Sequence, residues 1–299
     1  MKRFLMLSVL TLWGLNVYSQ NKIDFSGWAP SNLDQYKGTC YAYATTYTAL
    51  TIKLAIKINL SSAQDINENA FSPAFTASRL QQHKSFLKRI FTSCSVGGNI
   101  EKAAEILKNE GAVPVKNFRR HTNTTETELS NAAGSTADKS LPISSCCYAV
   151  QPAELADAAA YRIQGFECII DTNTSRENTS TIVEILKKYL KVKEPVICAI
   201  RQTSKLRSNT DLIYHIESDV DANNNYKTSN HAICIVGFND EINGGSVLIK
   251  NNYKTFGSNG LAWINYEDFK KYLSYAIVLK AFNADTFPMP LKYDKAELF

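Results

Sequence analysis

The sequence predicts an α+β chain in two unlike halves, helical first and strand-rich second, and three of its features predict this. Apolar residues recur at helical spacing over 41–56 and again after Asn99, as expected of helices that bury one face. From Val196 onward they come instead as short runs separated by polar turns, the mark of strands. Between the two regimes, 121–145 is rich in Thr, Ser, Asn and Ala without periodicity, which reads as an exposed boundary loop.

The elements follow in order. Lys2 and Arg3 precede an apolar run over 4–17 that closes on Val17-Tyr18-Ser19, the form of a secretory signal peptide. At about 14 residues the run is short of the roughly 20 that span a bilayer. The expectation is therefore a cleaved leader over 1–19, a secreted or periplasmic chain, and no membrane span. A helix is expected over 41–56, directly after Gly38-Thr39-Cys40, with Ala44, Tyr47, Leu50 and Leu54 in its apolar stripe. A second starts at Ser72-Pro73, serine capping and proline in the first turn, and runs to His83. A third follows Gly97-Gly98, capped by Asn99, with Ala103, Ala104, Ile106 and Leu107 inward and Gly111 at its end. One more helix, over 181–190, precedes strands at 196–200, 232–238, 247–250, 262–265 and 276–279. The polar stretch 203–229 reads as an inserted surface loop, and its acids Asp219 and Asp221 lack a calcium-loop pattern. The organisation is thus a leader (1–19), a helical lobe (20–150) and a strand-rich lobe (151–299).

Composition excludes some partners. Loss of Lys2 and Arg3 with the leader takes the formal charge of +5 to about +3, and the remaining Lys and Arg are scattered. No nucleic-acid or membrane-surface partner is implied; Lys187-Lys188 and Lys270-Lys271 read as solvated helix faces. Seven cysteines leave at least one thiol unpaired in an exported chain. Cys168, Cys198 and Cys234 lie in apolar strand-like runs and are expected in the core. Cys94, Cys146 and Cys147 lie in polar surroundings, so a bridge from Cys94 to one of the adjacent pair is expected, with the choice open. No CxxC or HExxH spacing calls for a metal, and no cofactor is expected.

Acyl transfer through a thiol needs a thiolate, a base, a group that orients the base, and donors for an oxyanion. Cys40, at a helix start, would feel the positive end of the helix dipole and its free N–H groups, which lower a thiol pKa. Of four histidines, His231 is the candidate base, because it opens an apolar strand just after a polar loop. His83 and His121 sit in polar stretches and read as surface residues, while His215 is either structural or near a substrate. Asn251 ends the strand after that of His231, where adjacent pairing would bring the two together.

In combination and order these segments resemble the papain family of cysteine peptidases, over nearly all of the chain after the leader. The segment Asp34-Gln35-Tyr36-Lys37-Gly38-Thr39-Cys40-Tyr41-Ala42-Tyr43-Ala44 is similar to the family's nucleophile motif. Asn230-His231-Ala232 through Val236-Gly237-Phe238 resembles its histidine motif. Asn251-Asn252-Tyr253 with Gly257-Ser258-Asn259-Gly260 resembles its asparagine motif and the turn that follows. Cys94-Ser95-Val96-Gly97-Gly98 resembles its cysteine and double-glycine turn. The resemblance implies a papain-like two-lobe fold, a helical lobe and an antiparallel β-barrel-like lobe with the cleft between them. It implies a polypeptide substrate, with a protein inhibitor as a candidate partner, and hydrolysis by a Cys40 thiolate paired with the imidazolium of His231, which Asn251 orients. Gln35 and the Cys40 backbone N–H would form the oxyanion hole, with Asn32 as a substitute for Gln35. Tyr253 stands where the family has a tryptophan that shields the asparagine–histidine bond.

This chain departs from the pattern in places. Gln35 is five positions before Cys40 rather than six, the partner cysteine near the nucleophile is replaced by Lys37 or Thr39, and Cys40 and His231 are 191 residues apart where about 130–150 is usual. The two polar segments can absorb that excess. Two other readings share these residues: a catalytically silent protein that binds peptides or partners in the same cleft, and a cysteine amidase or acyltransferase acting on non-protein amides.

Overall fold

A computed structural model describes residues 20–35, 38–85, 97–118, 150–215 and 228–288. The leader, Cys94, Cys146, Cys147 and the bridge expected of them, His121, the loop 121–145 and the acids near 220 lie outside the described residues.

Alternating and continuous apolar runs in the second half pair into a single sheet. Its strands are β1 (Lys22–Asp24), β2 (Phe166–Ile170), β3 (Val196–Thr203), β4 (Ile213–Tyr214), β5 (Thr228–Asn239), β6 (Ser246–Lys250), β7 (Leu261–Asn265) and β8 (Leu273–Leu279). They lie in the order β2-β8-β3-β5-β6-β7-β4, with β1 added to β5. Every pairing is antiparallel except β4 on β7. The ladder does not close among the described residues, so the strand-rich lobe is an open sheet. Central strands have neighbours on both sides, and β3 and β5 are apolar on both faces: Ile197, Cys198, Ile233, Cys234, Ile235 and Val236 are all buried.

The main helix, α1, runs without a break through Cys40–Ala42, a π-helical stretch Tyr43–Leu50, and Thr51–Lys57. Every residue of the π-helical stretch is buried, including Thr45, Thr46 and Thr48. Four more helices pack nearby or cover the sheet: α2 (Ala63–Glu68), α3 (Pro73–Gln82), α4 (Ile100–Asn109) and α5 (Pro152–Ala159). The expected caps form. Ser72 accepts the Phe75 N–H at 3.3 Å, with Pro73 in the first turn, and Asn99 accepts the Glu101 N–H at 2.6 Å. In the second half, α6 (Thr179–Lys191) is capped by Asn178 and turns Ile182, Leu186 and Leu190 onto the core, each worth about 1.5–3 kcal/mol when fully buried. Two short helices, α7 (Ser204–Arg207) and α8 (Tyr266–Tyr272), follow.

Three readings are corrected. Cys168 is exposed rather than buried, because β2 is an edge strand and has β8 on one side only; Cys198 and Cys234, on central strands, are buried. The stretch 203–229 is not all loop, since it contains α7, β4 and the first residues of β5. The short elements α2, α5, α8 and β1 add to the expected set.

Candidate active site

The site is built where α1 begins and where β5 and β6 meet. Thr39 precedes α1, so Cys40 is its first residue. His231 lies on β5, where it is opposite Ile200 of β3, and is almost fully buried. Asn251 follows β6, which pairs with β5. The register brings the two side chains together, and His231 Nε2 lies 2.9 Å from Asn251 Oδ1. Asn251 Oδ1 also accepts the backbone N–H of Asn252 at 2.8 Å. An atom that accepts a backbone N–H is the oxygen of the amide, so the imidazole nitrogen facing it carries the proton.

The chain before Cys40 is fastened to the segment after Asn251, which fixes the nucleophile strand relative to the base. The Gln35 N–H donates to the Asn252 carbonyl at 2.7 Å. Asn32 Nδ2 donates to the Tyr253 carbonyl at 2.7 Å, and the Lys254 N–H to Asp34 Oδ1 at 2.9 Å. The Asn252 amide reaches back to Thr48 of α1 at 3.4 Å. Gly260, at φ 79°, is the turn residue that lets its carbonyl accept the Asn251 N–H at 2.8 Å; a methyl there would run into the Asn251 carbonyl.

Two adjoining cavities meet at Gly38, Cys40, Asn230 and His231. One, of about 480 Å³, is polar and is lined by Asp34, Gln35, Gln202, Arg207, Ser229 and Tyr253. The other, of about 640 Å³, is lined by Gly98, Ile100, Ala199, Ala232 and Tyr275, with Glu101 as its carboxylate. Tyr275 hydrogen-bonds to that carboxylate. Cys40, His231 and Gln35 thus face one cavity and Asn251 stands behind the imidazole. Asn32 does not line either cavity. His83 is on the surface beside Glu110, and His215 is exposed.

Burial acts on both reactive groups in the same sense. It pushes the Cys40 thiol up, against hydrogen bonds from the backbone of Ala232, Tyr41 and Cys40 itself. It pushes the His231 imidazole down to about 4; Asn251 opposes this, and the positive charge of Arg207 adds to it. Desolvation disfavours the charged form of each.

Several contributors carry no signal in the sequence. Gln202, 4% exposed, donates from Nε2 to the Tyr253 hydroxyl at 2.8 Å. That hydroxyl lies 3.3 Å from His231 Nδ1, and the two rings stack at 4.8 Å between centroids and 10° between planes. The Arg207 guanidinium stands over the Tyr253 ring, 5.4 Å from its centroid. Lys250, buried beneath Asn251, donates to the Asn259 carbonyl.

No family model matches the sequence, and no curated protein does. Solved structures do. Xylellain, a cysteine protease from Xylella fastidiosa, superposes with a TM-score of 0.61 at 17% identity, over 88% of this chain and 87% of that one. The chain has the papain-like fold. Digestive procathepsin L 3 from the larval midgut of Tenebrio molitor superposes with a TM-score of 0.57 at 13% identity, over 87% of this chain and 69% of that one. A cysteine protease from Carica candamarcensis in complex with E-64 does so with a TM-score of 0.54 at 14% identity, over 88% and 99%. In papain-like terms, α1 to α4 form the helical lobe and the open sheet the second lobe, with the two cavities along their junction. Among the described residues, no helix is long and apolar enough to cross a membrane, and no cluster of His, Cys, Asp or Glu could hold a metal.

Proposed function

We propose that this chain is a secreted or periplasmic cysteine peptidase that cleaves polypeptides with Cys40 as nucleophile, His231 as base, Asn251 as orienting group and Gln35 as oxyanion donor. The observation that carries the reading is the His231–Asn251 hydrogen bond of 2.9 Å behind a cavity that Cys40 and Gln35 share with the imidazole. As the sulfur adds to the substrate carbonyl carbon, the thiol proton passes to Nδ1. The carbonyl oxygen takes the negative charge and is met by the Gln35 side chain and the Cys40 backbone N–H. The carbon–nitrogen bond then breaks and the leaving amine takes the proton from Nδ1. Water gives a proton to Nδ1 as it attacks the thioester, and the tetrahedral adduct expels the sulfur, which recovers that proton. A single donor to such an oxyanion is worth about 2.7–4 kcal/mol of barrier.

The burial that disfavours both charged forms speaks for one rival, a silent cleft that only binds. Incubation with E-64, the inhibitor held by the Carica protease, separates the two. The expected result is one adduct, mapped by mass to Cys40 and absent from Cys40→Ala, together with peptide hydrolysis lost in the same variant. No adduct and no hydrolysis would sink the peptidase reading.

A further inference from the structure

We propose that Tyr253 is a positioning residue whose hydroxyl, aimed by Gln202, occupies His231 Nδ1 in the resting protein and competes with Cys40 for that nitrogen. The inference rests on the peptidase reading only in taking Cys40 and His231 as the reacting pair.

The hydrogen-bond roles follow from fixed donors. Asn251 Oδ1 accepts the Asn252 N–H, so Nε2 of His231 carries a proton toward it and Nδ1 of the neutral ring holds the lone pair. Gln202 Nε2 donates to the Tyr253 oxygen at 2.8 Å and to Ser229 Oγ at 3.3 Å. The hydroxyl hydrogen of Tyr253 is therefore free to point at Nδ1, 3.3 Å away. Near-parallel stacking carries the hydroxyl over the imidazole rather than into its plane, which makes the contact weak enough to yield. While it lasts it stabilises neutral imidazole, because protonated Nδ1 has no lone pair to offer.

Of the charged groups around these cavities, Arg207 acts in the same direction, whereas the carboxylates of Asp34 and Glu101 act against it. The exposed guanidinium of Arg207 lies over the Tyr253 ring and opposes a positive imidazole. Asp34 is the carboxylate of this cavity and accepts the Lys254 N–H; Glu101, the carboxylate of the adjoining cavity, bonds to Tyr275. A substrate or inhibitor that enters beside Cys40 and turns the hydroxyl away would release Nδ1, so the ion pair would form with the ligand in place.

The test is the pH dependence of iodoacetamide alkylation of Cys40, followed by peptide mass mapping so that exposed Cys168 is counted separately. It needs no peptide turnover. Tyr253→Phe keeps the ring and its stacking and removes only the hydroxyl. Its alkylation midpoint is expected to fall by about 0.3–0.5 pH unit, a rate roughly two- to threefold higher below the midpoint, the low end of what one neutral hydrogen bond supplies, as suits a contact out of the ring plane. Gln202→Leu, which leaves the hydroxyl unaimed, is expected to shift the midpoint the same way by less. A midpoint for Tyr253→Phe that is unchanged, or moves up, overturns the inference. Absence of an E-64 adduct on the wild-type chain would instead overturn the peptidase reading and leave this titration interpretable.

Discussion

Asn251 differs from Cys40 and His231 in what betrays it. A cysteine at a helix start and a histidine at the mouth of a strand each have a local physical reason to be reactive, whereas Asn251-Asn252 reads locally as a turn and gains its meaning from family resemblance. The geometry supplies the missing reason: Asn251 Oδ1 accepts both the imidazole N–H and the Asn252 N–H. With Asn251→Ala, the buried imidazole would lose its acceptor and its fixed tautomer. A hydrogen bond of this kind, charged during turnover, is worth about 1.5–3 kcal/mol, so kcat/KM is expected to fall roughly ten- to hundredfold with measurable activity left. Steady-state kinetics of the purified variant check this. Activity equal to wild type would remove Asn251 from the machinery. Gln202 has no comparable sequence signal, because a glutamine at the polar end of a strand is ordinary and only the folded register sets it against Tyr253.

At the scale of elements, the docking of α1 against the double-glycine turn decides how the nucleophile is held. Tyr41, next to Cys40 and 3% exposed, packs on Gly98 so closely that a methyl group there would overlap its ring. Tyr41 is too enclosed to yield, so Gly98→Ala would press directly on the first turn of α1. Overpacking of this kind costs about 1–3 kcal/mol, and the expected outcome is a lower unfolding midpoint in urea together with slower E-64 labelling of Cys40. An unshifted midpoint would show that the turn gives way instead. The double glycine was visible in the sequence, but its partner was not, since Tyr41 and Gly98 meet only in the fold. The same limit explains Cys168: its apolar run marks a strand, but whether a strand is central or at an edge depends on pairings between distant segments. The π-helical stretch is hidden for a related reason. Its buried threonines have no helical period of their own, and two of them meet their partners only in the fold, Thr76 for Thr46 at 2.7 Å and Asn252 for Thr48 at 3.4 Å.

For the whole molecule, the site rests on a buried amine. Lys250 is 1% exposed, and burial holds its ammonium well down from 10.5, to about 7. The unfolded chain therefore binds a proton at this position that the folded chain does not, throughout about pH 7 to 10.5. Stability rises with pH wherever the unfolded state binds more protons, so Lys250 makes the protein gain stability on going from neutral to alkaline solution. His231, whose imidazole falls from 6.5 to about 4, acts by the same rule in a separate window, about pH 4 to 6.5. The two can thus be told apart by pH alone. In Lys250→Met the aliphatic stem is kept and the proton site removed, while the Asn259 carbonyl loses its donor at every pH. Urea unfolding at intervals from pH 6 to 10 should therefore give a stability difference, wild type minus variant, that becomes steadily more favourable to the wild type above pH 7. A difference that is constant across the range would mean that Lys250 is protonated in the fold, and that the segment carrying Asn251 accommodates a buried charge.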